Sequence, residues 1–225
     1  MKTAFRRYLR NKTTLGFRST LRQAQNEWKL SRRHLQNLKK VSSYLQATPI
    51  KLNLGCGPNP KKGWLNIDLF ERTADLQLDL REPWPFPDRT VSYIYSEHVF
   101  EHFEFHAEVP HFLAEALRVL EPGGIFDVVV PDTETPLRAY GDPNAVYWST
   151  LAKRWHPEWC QTELDHINFH FRQDGEHKYA WDIDTLTRTL KSAGFDCVRR
   201  REFNPGMDSK ERELGSLYMT GNKPR

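Results

Sequence analysis

The chain has 225 residues, 38% of them hydrophobic and 28% charged, with a formal net charge of +4. That length suits one α/β domain plus an appendage, and a body of roughly 180 residues buries about 70% of its extended-chain surface, so a sizeable core is within reach. No apolar run approaches the roughly 18 residues needed to cross a bilayer and the start lacks the apolar core of a secretion signal, while three scattered cysteines, Cys56, Cys160 and Cys197, mark neither a disulfide framework nor a zinc cluster and point to a reducing, cytoplasmic setting.

Charge is uneven along the chain. Residues 1–45 hold twelve Lys or Arg and one acid, Glu27, a balance of +11, so residues 46–225 carry 21 basic against 28 acidic residues, or −7. Within this basic arm (1–46), Leu21, Ala24, Trp28, Leu35, Leu38 and Leu45 recur at helical or heptad-like spacing, which predicts an amphipathic helix over about 19–45. Its apolar stripe has two expected uses: packing on the domain or on a second copy of itself, or peripheral contact with an anionic membrane surface, near which each basic residue contributes on the order of 1 kcal/mol. Nucleic acid is the less favoured partner, because no binding module or aromatic stacking platform is recognisable. Gln46 to Pro49 read as a linker to a second unit at 50–225.

That unit opens with a buried-type strand (Ile50, Leu52, Leu54), a Gly55-Cys56-Gly57 turn, and a short second strand from Trp64 to Ile67 ending on Asp68. Glycines after one strand and an acid after the next are the layout of a nucleoside site at the carboxyl edge of a parallel sheet. Next come an alternating stretch, Ala74 to Leu80, with a further acid at Asp79, then Trp84-Pro85-Phe86-Pro87-Asp88, and a β-rich run from Val91 into Ser96-Glu97-His98. Val109, Phe112, Leu113, Ala116, Leu117 and Leu120 share one helical face, with Pro110 in the first turn and Pro122-Gly123-Gly124 as the stop before a strand at Ile125 to Val130. Asp182 begins a further helix closed by Gly194, and strands near Phe195 to Glu202 and Ser216 to Thr220 follow. Strand alternating with helix predicts an α/β fold with a doubly wound, mostly parallel sheet.

In these ordered segments the chain resembles a class I S-adenosylmethionine-dependent methyltransferase of the type 11-like branch, over residues 50 to about 222. The resemblance implies a Rossmann-like sheet ending in an antiparallel hairpin, S-adenosyl-L-methionine as cofactor, and no metal. It implies cofactor contacts at Asn53, Gly55, Cys56, Gly57, Asp68, Asp79, Leu80, Ser96 and Glu97: glycines bring backbone N–H groups to the methionine part, Asp68 takes the ribose diol, and Asp79 with the Leu80 N–H takes the adenine. One departure stands out. The family's acid usually lies about twenty residues past the glycine turn with a helix between, whereas Gly57 and Asp68 are eleven apart, with Pro58, Pro60 and Gly63 in the gap, so at most one helical turn fits.

The methyl acceptor is not named by any motif; the branch resemblance implies a small-molecule or glycan hydroxyl. A sulfonium methyl needs an aligned acceptor and, for a hydroxyl, a base. Candidate bases are His98 and His102, just after the fourth expected strand, and His166 and His170, in a long segment at about 131–179 that has the length of an inserted binding lid. Two rival readings stand beside this one. His98-Val99-Phe100-Glu101-His102 matches the H-x-x-E-H zinc-peptidase pattern, and a noncatalytic module could bind the same cofactor while the arm recruits a partner.

Overall fold

The computed structural model describes residues 12–45 and 49–225. Most of the expected linker and the first eleven residues fall outside them. Helix α1 spans Leu15–Leu38, capped by Thr14, whose side chain accepts the Phe17 N–H at 3.2 Å. It stops seven residues before the expected end at 45. Lys40 N–H turns back to Asn37 O, the Ser43 hydroxyl donates to Lys40 O, and a 3₁₀ turn follows at Val41–Ser43. Polar side chains that bond the nearby backbone compete with the helical ladder, which explains the early stop.

The docking face of α1 also differs from the expected stripe. His34 and Asn37 are buried, and Leu38, Val41, Tyr44 and Leu45 pack on the main core. Leu21, Trp28 and Leu35 are exposed at 47%, 61% and 56%, and Phe17 joins them at 58%. Successive residues turn by about 100° around a helix, so Phe17, Leu21, Ala24, Trp28 and Leu35 form one largely exposed stripe, whose Trp28 and Leu35 border a groove shared with Asp79, Arg81 and Pro83.

Six strands follow: β1 (Ile50–Leu54), β2 (Leu65–Ile67), β3 (Val91–Glu97), β4 (Leu120–Pro131), β5 (Asp196–Arg200) and β6 (Ser216–Asn222). Their order is β2-β1-β3-β4-β6-β5. The first four are parallel and β6 runs antiparallel to both β4 and β5, the mostly parallel sheet with a closing hairpin that the sequence predicts. The expected strand at Ala74 to Leu80 is reduced to one bridge, Ile67 to Leu76. The reason is local: the Asp75 carboxylate takes the Asn66 N–H at 2.8 Å, and the Asp79 N–H goes to His34 Nδ1 at 3.1 Å, so side chains occupy donors that a ladder would use.

Helix α2 (Val109–Val119) joins β3 to β4, and its Phe112 centres the core, with ring centroids 5.0 Å from Trp84, 4.9 Å from Phe103 and 6.2 Å from Phe126. Leu120 is already extended, so the chain leaves α2 directly into β4, and Pro122 to Gly124 form a bulge inside that strand rather than a stop before it. The segment after β4 carries α3 (Glu134–Ala139), a π turn at Trp148–Ala152 and α4 (Glu163–Arg172). Helix α5 (Ile183–Ala193) begins with Asp182 accepting the Thr185 N–H at 2.8 Å and ends at Gly194, φ +109°.

Phe112, Phe126 and Phe195 place α2 and α5 over one face of the sheet. On the opposite face, β3 and β4 present Tyr93, Tyr95 and Asp127, and no helix connects β1 to β2 or β2 to β3. That face is sealed by ions and rings instead. Arg201 meets Asp127 at 2.9 Å and Asp208 at 2.7 Å; Tyr95 donates to Asp208 at 3.0 Å and Tyr93 to Asp127 at 2.7 Å. Trp64 packs edge-on at 5.1 Å from Tyr93, and Lys61 stands 4.3 Å above the Tyr95 ring. Removing one partner of a buried ion network leaves uncompensated charge, at about 3–5 kcal/mol. Arg201→Ala is therefore expected to lower unfolding free energy by about that amount, read from the urea midpoint at unchanged m-value.

Candidate active site

The glycine turn closes over the ends of β1 and β2. Gly55 has φ +62°, and a Cβ there would stand 2.0 Å from Val99 Cγ2, so the turn and the residue after His98 are in direct contact. Gly57 has φ +50°, with nothing within 4 Å of where its Cβ would be. Between them Cys56 is buried, its thiol pushed up to about 12 by burial and then by the nearby Asp68, which makes it a turn filler rather than a nucleophile. Asp68 Oδ2 accepts the Gly57 N–H at 3.0 Å, and its Oδ1 accepts those of Phe70 and Glu71.

Other expected contacts hold positions with partners of their own. Asn53 is buried and donates to Asn66 at 2.9 Å. The Asp79 carboxylate receives Arg81 Nε at 2.9 Å and Nη2 at 2.7 Å, and Arg81 also reaches Glu27 of α1 at 3.0 Å. Leu80 is in the core, its carbonyl taking the Trp84 indole N–H. Ser96 is fully buried, and its hydroxyl has no protein hydrogen-bond partner. Glu97 accepts the Ser209 N–H at 3.0 Å and its hydroxyl at 2.6 Å, tethering the loop before β6.

Beside this turn, at the carboxyl ends of β3 and β4, lies a cavity of about 500 Å³ lined by His98, His170, His156, His177, Trp155 and Arg212 among others. Sequence reasoning brought His98 and His170 to it. His102 and His166 are outside its lining: His102 bonds Glu176 O at 3.1 Å and His166 pairs with His156 at 2.9 Å. His156 and Arg212 were missed; His156 sat unremarked in the long segment, and Arg212 comes from the loop before β6, which carries no motif. His98 has φ +55° and Nε2 2.9 Å from the Ser216 hydroxyl; Nδ1 is 3.7 Å from Glu101 Oε1. Burial holds its ring well below the usual histidine range, and burial likewise lowers His170 to about 4, so both are neutral at neutral pH. Phe100–His102 forms a 3₁₀ turn, not an α-helix, so the two histidines of the H-x-x-E-H pattern do not share a helical face.

A methyltransferase-domain family profile matches residues 24–200, more than half of the chain. The chain belongs to this family. It is an S-adenosylmethionine-dependent methyltransferase, which replaces the noncatalytic and metallohydrolase readings. Among solved structures, an S-adenosylmethionine-dependent methyltransferase from Archaeoglobus fulgidus is 15% identical, with TM-score 0.49, covering 88% of this chain and 94% of that one. A possible histamine N-methyltransferase from Thermotoga maritima is 17% identical, with TM-score 0.45 and coverages of 92% and 98%. Phosphoethanolamine N-methyltransferase 2 from Haemonchus contortus, in complex with S-adenosyl-L-methionine, is 12% identical, with TM-score 0.46 and coverages of 84% and 52%. No curated protein matches the chain. Among the described residues, no helix is long and apolar enough to cross a membrane.

The residues present fit the methyltransferase's cofactor: the open space at Gly57 with the Asp68 carboxylate beside it is a polar cradle past the end of β1, and the buried Ser96 hydroxyl at the end of β3 is left without a protein partner. One group in the site is under electrostatic stress. Glu101 is buried with neither carboxyl oxygen hydrogen-bonded, and burial pushes its pKa up to about 8. A carboxyl whose folded pKa is raised binds its proton more tightly folded than unfolded, so folding loses stability as pH rises from about 4.5 to about 8. Glu101→Gln is expected to match the parent near about pH 4.5 and to exceed its stability by a few kcal/mol near about pH 8, measured by denaturant melts across that window.

Proposed function

We propose that the methyltransferase holds S-adenosyl-L-methionine over the ends of β1 to β3 and methylates a hydroxyl of a small, sugar-sized acceptor bound in the adjoining cavity, with His98 as general base. The carrying observation is the position of His98: its neighbour Val99 fills the space left by Gly55, and its own ring lines the cavity. The residue thus joins the glycine turn to the acceptor side.

In this reading Gly55, Cys56 and Gly57 offer backbone to the methionine part, Asp68 the ribose, and Asp79 with Leu80 the adenine; Asp68 must release the Gly57 N–H, and Arg81 must turn aside for Asp79 to accept a new donor. The cofactor supplies an activated sulfonium methyl, which leaves alignment and proton removal to the protein. Neutral His98 needs no prior deprotonation. With Nδ1–H toward Glu101, its Nε2 lone pair is free to take the acceptor's proton once that hydroxyl replaces Ser216 as partner. Trp155, exposed at 48%, gives the cavity a flat apolar wall suited to a sugar ring, and Arg212 gives it a cation.

We place the enzyme in the cytoplasm, where free cysteines persist, with α1 lying on an anionic membrane. The exposed Phe17–Leu21–Trp28–Leu35 stripe would enter the interface, and the excess of Lys and Arg in residues 1–45 favours anionic headgroups over a second, equally basic copy. Two measurements test these proposals. With methyl-labelled cofactor and a monosaccharide panel, His98→Ala should lower kcat by about 10²- to 10⁴-fold at unchanged cofactor affinity, while His102→Ala and His166→Ala stay near the parent; undiminished turnover in His98→Ala removes the base assignment. Full-length protein should co-sediment with phosphatidylserine vesicles and not with phosphatidylcholine ones, and Leu21→Asp with Trp28→Asp should abolish that.

A further inference from the structure

A second cluster of chemistry lies in the long segment, at the edge of the acceptor cavity that His156 also lines. His156, Cys160 and His166 bring one donor atom each to within 4.8 Å of one another. The two imidazoles face each other through Nδ1 at 2.9 Å. Two nitrogens that close must share a proton or a cation, since two bare lone pairs would repel.

The surrounding backbone fixes all three donors. His156 N–H bonds Ala152 O at 2.9 Å at the end of the π turn, and Cys160 N–H bonds Pro157 O at 3.0 Å, closing the turn that carries the thiol back toward His156. Thr162 and Asp165 form a reciprocal capping box at the start of α4, which sets His166 on that helix's first full turn. Asp165 also takes the Gln161 N–H at 3.1 Å, next to Cys160. The donors are therefore preorganised by local bonds that do not need the metal.

We propose that His156, Cys160 and His166 form a zinc site that ties the π-turn half of the insertion to α4. Two imidazoles and one thiolate are a borderline-soft N₂S set, which favours zinc over magnesium or calcium, and three protein donors leave a fourth tetrahedral position for water. His156 also lines the acceptor cavity, which supplies an entry path. Binding releases the Cys160 thiol proton to solvent and moves the proton between the two Nδ1 atoms to an Nε2, and no electron changes hands. Thus the spacing His156-x₃-Cys160-x₅-His166 acquires a meaning that three scattered cysteines did not carry.

The test uses tag-free full-length protein stripped with chelator, then titrated with zinc and, separately, with cobalt(II). One tight equivalent of zinc and a thiolate-to-cobalt charge-transfer band are expected. Cys160→Ser should lose the band, and His166→Ala should weaken zinc binding at least tenfold, with cofactor affinity retained as the sign of an intact fold. A second donor group, Glu101, His102 and His177, lies elsewhere in the segment's contacts, so His177→Ala serves as the control and should keep both signals. No stoichiometric zinc in a protein that still binds cofactor overturns the site, as does zinc binding that survives Cys160→Ser and disappears in His177→Ala.

Discussion

The loop from Gly57 to Asp68 is too short for a helix, and the face of the sheet beneath it must be covered by something else. Beside a small cluster of Tyr95, Val129, Tyr218 and Trp64, the chain uses charge: Arg201 bridges Asp127 and Asp208, with Tyr93 and Tyr95 hydrogen-bonded into the same network. Such a network stabilises only when every member is paired. Lys61 from the short loop completes it, stacking on Tyr95 and donating to Met207 O at 2.5 Å. Its burial lowers the lysine's proton affinity, the cost of placing an ammonium there.

That substitution of ions for a helix reaches the active site through one loop. Asp208 anchors the chain just before Ser209, Ser209 holds Glu97 at the end of β3, and Arg212 donates to Glu97 O at 3.2 Å. Arg212, Leu214 and Gly215 then form one wall of the cavity and lead to Ser216, the partner of His98. The glycine turn and the cavity therefore share a support, although Gly57 and Arg212 are far apart in sequence.

Much of this was legible in the residues. β1, β3, α2, α5 and the closing hairpin follow from apolar spacing, an N-cap aspartate and a C-cap glycine, signals that act over a few residues. What escaped were features set by long-range partners. The strand at 74–80 dissolved because the Asp75 side chain took the Asn66 N–H of the neighbouring strand and His34 took the Asp79 N–H of the segment itself. α1 turned its strongest apolar stripe outward because the docking face is made by His34, Asn37 and Leu38. Among the four candidate bases, only the structure separates His98 and His170, which share the cavity, from His102 and His166, which do not line it. Arg212 was invisible for the same reason: a lone arginine in an irregular loop has no spacing to read.

The left-handed backbone at His98, φ +55°, has a use beyond aiming its ring. Most substitutions there would keep the strain of that conformation, but glycine adopts it freely. His98→Gly would delete the imidazole while relaxing the main chain, and leave in its place a gap beside a solvent-reachable cavity. Such a variant is a natural host for chemical complementation, in which free imidazole diffuses in and takes the role proposed for the His98 ring.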